Sequence, residues 1–130
     1  MTLKFYENIG KLFYGIAASD KVVREEELFK LKESIKKVWL TSDLIEKDTK
    51  IDAEQAIINT FNLLNYDNVY DAEHCFNSFK SFKKDHEYLF TENIKTLIKK
   101  TAEAIASAVS GKNKSELIIL AKLNLELKKT

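Results

Sequence analysis

The sequence contains no proline and only three glycines, Gly10, Gly15 and Gly111. An all-β sandwich needs a turn roughly every ten residues, and proline and glycine are the residues that form such turns at low cost. Their scarcity excludes that class and leaves helices. Cysteine is nearly absent as well: Cys75 stands alone, which excludes an intrachain disulfide and suits a reducing compartment. No uncharged apolar run approaches the roughly 18 residues that a membrane-spanning helix requires, so no transmembrane segment is expected. The opening Met1-Thr2-Leu3-Lys4-Phe5-Tyr6-Glu7 introduces an acidic residue too early for a secretory signal, and the expected location is cytoplasmic. Neither sign of charge prevails, since 21 basic and 20 acidic side chains leave a net charge of +1. Without a strong field there is no expectation of nucleic acid as a partner.

What is present is enough to build a core. Hydrophobic residues make up 45% of the chain, and eight Phe, five Tyr and one Trp set it apart from disordered sequences. A length of 130 residues fits one domain, residues 1–130. Apolar residues recur at helical spacing, so the expected fold class is all-α, a single compact bundle of about six helices. A first helix over about residues 2–19 carries Phe5, Ile9, Leu12, Phe13 and Ile16 on one stripe. A second, over about 25–40, carries Leu28, Leu31, Ile35 and Val38, widened by Phe29 and Trp39. After a polar connection from Thr41 to Lys50, Asp52 has the short acceptor of an N-cap for a helix through Ile57, Phe61 and Leu64. Asn65-Tyr66-Asp67-Asn68 reads as a turn before a fourth helix, about 70–84, with Ala72, Phe76, Phe79 and Phe82 inward.

The fifth helix has the clearest periodicity, through Ile94, Leu97, Ile98, Thr101, Ala102, Ile105, Ala106 and Val109. Thr91 and Glu92 suit its start and Ser110-Gly111 its end. Ala102, Ala104, Ala106 and Ala108 leave little bulk, so neighbouring helices can approach closely, and this helix is expected at the centre. The last helix, Asn113 to Lys128, is apolar on more than one face, which implies either deep burial or a self-association surface. The lysine pairs at 36–37, 83–84, 99–100 and 128–129 read as solvated helix faces or ends.

One stretch, Gly15 to Leu28, differs from the rest. Small residues close one helix, Asp20 sits in the turn, and Glu25, Glu26 and Glu27 open the next. Asp20 and Glu27 lie on either side of this helix-turn-helix elbow, where two hard oxygen ligands can converge on a divalent cation. The same residues also satisfy local needs. With Arg24 as N-cap, Glu27 is the third helical residue, whose carboxylate reaches back to a free amide, and Asp20 can serve amides of the turn. The spacing rejects an EF-hand, because Val22 and Glu25 occupy the third and sixth positions counted from Asp20.

The run Ile16-Ala17-Ala18-Ser19-Asp20, followed by Val23 and Glu27-Leu28, resembles the motif of TerB-like proteins, the tellurite-resistance B family. In that motif an Ala-x-Ala-Asp-Gly turn precedes a glutamate seven residues after the aspartate. A weaker echo follows at Ile105-Ala106-Ser107-Ala108-Val109-Ser110-Gly111 and Glu116-Leu117. The resemblance implies an all-helical domain of two weakly related halves in a bacterial tellurite-resistance or stress-response system. It also implies a divalent cation, such as calcium, zinc or manganese, held by Asp20, Glu27 and Glu116. Lys21 stands where the motif has glycine, and Val109 or Ser110 where the second half has its aspartate. An adaptor that keeps the fold, has lost the ion site and acts through a protein partner is the alternative this leaves open. Self-association through the last helix is compatible with both.

No other residues suggest catalysis. His74 and Cys75 are adjacent on a helix and point roughly 100° apart, and neither they nor His86 have ligand-gathering spacing. No phosphate loop, Ser-His-Asp order or dinucleotide fingerprint is present, so a binding protein is expected and not an enzyme.

Overall fold

The structure is a computed structural model and describes residues 3–39, 50–67, 71–108 and 114–128. Regular structure among them is entirely helical, as composition required. The helices are α1 (Leu3–Ala17), α2 (Glu25–Ser34), α3 (Lys50–Asp67), α4 (Ala72–Asp85), α5 (Glu92–Ala106) and α6 (Lys114–Lys128). A π-helical turn, Ile35–Trp39, continues α2, and a 3-10 turn, Glu87–Leu89, follows α4. No helix among the described residues is long and apolar enough to cross a membrane.

The centre of the bundle is α1 and not α5. Its stripe of Phe5, Ile9, Leu12, Phe13 and Ile16 is wholly buried, and Tyr6, Tyr14 and Ala17 extend the burial around the helix. It packs against α3, α4, α5 and α6. Close approach depends on its glycines. A Cβ at Gly10 would lie 2.8 Å from the Ile57 carbonyl oxygen of α3 and 2.9 Å from Thr60 Cβ. One at Gly15 would lie 3.2 Å from the Ala72 carbonyl oxygen of α4. The alanines of α5 marked a helix that tolerates neighbours, but glycine permits backbone contact that alanine does not.

The second layer is α2 against α5. Leu31 and Ile35 are buried there, and the widened turn after α2 carries Trp39 inward to complete burial. Its indole Nε1 donates to Thr101 Oγ1 at 2.8 Å, and that hydroxyl donates to the Leu97 carbonyl at 2.9 Å, so the one polar atom of a large apolar side chain is satisfied.

Several helix ends differ from the expectation. Asp52 lies in the first turn of α3, which starts at Lys50, and its charge serves the helix dipole there. Asn65, Tyr66 and Asp67 form the last turn of α3, because packing through Phe61 and Leu64 overrides the turn preference of those residues; Asn68 lies outside the described residues. Asp71 caps α4 by accepting from the His74 amide at 2.7 Å. Thr91 caps α5 as expected, accepting from the Ile94 amide. That helix closes at Ala106 with Ser107 as C-cap, short of the expected end; Val109, Ser110 and Gly111 lie outside the described residues, as does the connection 41–49.

Lys83, whose pair with Lys84 was expected at a solvated helix end, is buried, and so is Lys95 of α5. The Lys83 Nζ lies 3.2 Å from Glu87 and 3.6 Å from Glu126. Helix α6 is buried on one side and exposed on the other. Ile119, Leu120, Leu123 and Leu127 are in the core, while Leu117, Ile118 and Leu125 face solvent.

Candidate site at the acidic elbow

The elbow forms where the side chains of Ser19 and Asp20 bond nearby backbone groups and so compete with continuation of α1. After Ala17 the chain turns through Ala18, Ser19 and Asp20, with the Ser19 hydroxyl and the Lys21 amide donating to the carbonyls of Ile16 and Ala18. Lys21 adopts a left-handed conformation, with φ of 70°. That conformation favours glycine, the residue the TerB-like motif has at this position, so Lys21 carries a backbone cost while its side chain points to solvent.

Asp20 uses both oxygens locally. Oδ1 accepts from the Val22 amide at 3.1 Å, and Oδ2 forms an ion pair with Arg24 Nη1 at 2.9 Å. Arg24 is the N-cap of α2 in extended conformation, as expected. Glu27 Oε1 accepts from the Arg24 amide at 2.8 Å, which is the glutamate half of a capping box. The other half is missing, because a guanidinium only donates. Arg24 Nη1 also lies 3.9 Å from Glu27 Oε1, so one cationic nitrogen stands between the two carboxylates.

Glu27 is 1% exposed, and its Oε2 has no hydrogen-bond partner. Burial pushes its carboxyl up to about 7, the amide of Arg24 opposes this, and the negative charge of Glu116 raises it further. Glu116, in the first turn of α6, is buried as well and acts on both Glu27 and Arg24. All three residues marked by the sequence therefore gather at one place, although Glu116 comes from the far end of the chain.

Their arrangement is not an open coordination shell. Among the described residues no group of three or more His, Cys, Asp and Glu side chains could hold a metal ion. Of the hard oxygens at the elbow, Asp20 Oδ2 faces a guanidinium and Glu27 Oε1 faces a backbone amide, which leaves Glu27 Oε2 as the orphan. The residues as placed fit an internal cation better than a bound one. Arg24 is the member that the sequence reading cast only as a cap; the Asp20 to Arg24 spacing of four residues was the signal for an ion pair.

Elsewhere the chemistry is plain. Cys75 is buried, and desolvation pushes its thiol up to about 11, away from the thiolate that a nucleophile needs. His74 is exposed beside it, and His86 stacks on Phe82 at 4.2 Å. A groove of about 450 Å³ runs between α4 and α6, lined by Phe76, Lys80, Ile118, Lys122 and Leu125 among others. No family model matches this chain, and neither curated proteins nor solved structures supplied a match.

Proposed function

We propose that this chain is a non-enzymatic, TerB-like binding module of a bacterial stress-response or tellurite-resistance type system, and that it acts through a protein partner and not through a bound ion. The observation that carries the reading is the position of Arg24 Nη1 between Asp20 and Glu27, where it supplies positive charge from within the chain. The left-handed Lys21 and the convergence of Glu116 on the elbow support the family part of the reading. The groove beside the exposed Leu117, Ile118 and Leu125 supports a protein partner, since it joins apolar side chains to lysines at its rim.

The test has two arms. Thermal melts in EDTA and in calcium, zinc or manganese are expected to coincide; a chelator-induced drop in Tm overturns the ion-free reading. A photo-reactive residue at Leu125 is expected to crosslink a defined partner in the source cell, while one at the exposed Lys100 of α5 does not. Equal labelling at both positions removes the groove from the proposal.

A further inference from the structure

Helices α4 and α6 both lie on α1, and α6 also on α5, yet their described residues pack little against each other. The groove of about 450 Å³ between them follows α6 from Ser115 to Glu126, about 16 Å or three helical turns. Phe76 of α4 shares it with Ile118 and Ile119 of α6, and one turn further along each helix stand Lys80 and Lys122. A turn beyond these, the Lys83 to Glu126 pair at 3.6 Å ties the two helices together. Phe76 is nearly buried, whereas Ile118 and Leu125 are 48% and 63% exposed. The last two lie seven residues apart on one face of α6, with Lys122 between them.

Lys80 Nζ sits 5.9 Å from the centre of the Phe76 ring, and among the described residues neither it nor Lys122 is drawn into an ion pair. Glu126 lines the same end, but its carboxylate is turned toward Lys83. Glu73 stands two turns away, at the start of α4. The half of the groove around Lys80 and Lys122 is therefore positive as well as apolar. A second copy of the chain suits it badly, because a two-fold dimer brings the same face of each copy together and sets these lysines against their own counterparts. A helix fits such a groove by laying side chains at i, i+3 or i+4 and i+7 into it, with its flanking residues over the rim. Over two lysines, carboxylates are the flanking groups that complement the charge.

We infer that the groove between α4 and α6 receives an acidic amphipathic helix of a partner protein, its apolar stripe seated on Phe76, Ile118 and Leu125 and its carboxylates over Lys80 and Lys122. The inference rests on the protein-partner reading above and deepens it by naming the chemistry of the segment that docks.

The experiment selects a displayed library of four-turn helical peptides on the native protein, with counter-selection on the double variant Ile118→Asp with Leu125→Asp. These two side chains, like Lys80 and Lys122, are at least partly exposed, so the variants are expected to keep the native circular dichroism. Selected peptides are expected to carry apolar residues at helical spacing and a net negative charge. The leading peptide, made with a fluorescent label, is expected to lose roughly tenfold in affinity against Lys80→Glu with Lys122→Glu, and to regain it when its own carboxylates are exchanged for lysines. Should that variant lose its fold, Lys80→Gln with Lys122→Gln carries the same comparison, with a loss of roughly threefold. Neutral or basic selected peptides, or an affinity indifferent to these substitutions, overturn the inference and leave the protein-partner reading intact. If no selected peptide depends on Ile118 and Leu125, the groove is not a docking site and both fall. A native dimer in sedimentation that Leu125→Asp dissolves gives the groove to a second copy and overturns the inference.

Discussion

Helix α6 is tied down by a buried glutamate near each end, and the two ends solve the problem of buried charge in opposite ways. Near its start, Glu116 adds its negative charge to that of the buried Glu27, and the guanidinium of Arg24 between Asp20 and Glu27 is partly exposed. Near its end, Glu126 meets Lys83, a fully buried ammonium that Glu87 also reaches and that lies 6.0 Å from the centre of the Phe90 ring. The far end closes its charge balance with a buried cation. The elbow closes its own with a cation at the surface and a carboxyl inclined to hold a proton. The lesson is that the same helix combines a permanent structural tie with one that responds to its surroundings.

The sharpest way to break the contrast is at the far end. Lys83→Met leaves Glu126 buried without its cation and is expected to cost about 3 to 5 kcal/mol, read as a large fall in Tm by circular dichroism. Adding Glu126→Leu to that variant removes the stranded charge and should restore most of the loss, because an apolar pair of similar volume often equals a buried ion pair. Failure of the double variant to recover would mean that the tie orients α6 as well as balancing charge.

At the elbow the expected effect is smaller and depends on pH. The Glu27 carboxyl is raised from about 4.5 to about 7, so between these values the folded chain holds a proton that the unfolded chain has released. Its contribution is therefore fully present below pH 4.5 and is lost as pH rises toward 7, by an amount of order 3 kcal/mol. Denaturant titrations of native protein and Glu27→Gln across this window are expected to show that downward slope in the first and a flatter line in the second. Equal slopes would place the titration elsewhere. The smallest effect is expected from Asp20→Asn, which keeps the acceptor for the Val22 amide and removes only the charge facing a half-exposed arginine. Its Tm should fall less than that of any variant above, and the difference should shrink in high salt.

The elbow was largely legible because its parts are close in sequence. Asp20, Arg24 and Glu27 fall within one turn and one helix start, and local rules for caps and dipoles apply to them directly. Glu116 was reached only through the resemblance, since nothing in its own neighbourhood points to a partner near residue 27. Lys83 was misread for a related reason. A lysine pair near a helix end resembles a solvated pair, and its partner Glu126 lies beyond the reach of any local pattern. The centrality of α1 was missed because the alanines of α5 pointed to that helix, whereas in the bundle the two glycines of α1 are where two other backbones come nearest.

The sequence by itself determined that this protein is helical, where most of its helices begin and which faces turn inward, because periodicity and capping act within a few residues and need no knowledge of the rest of the chain. Only the tertiary structure decided which helix lies at the centre, which charges are buried and that Arg24 stands between the acids. Those outcomes depend on how closely separate helices approach and on the loss of water between them, and both exist only once the whole chain has folded.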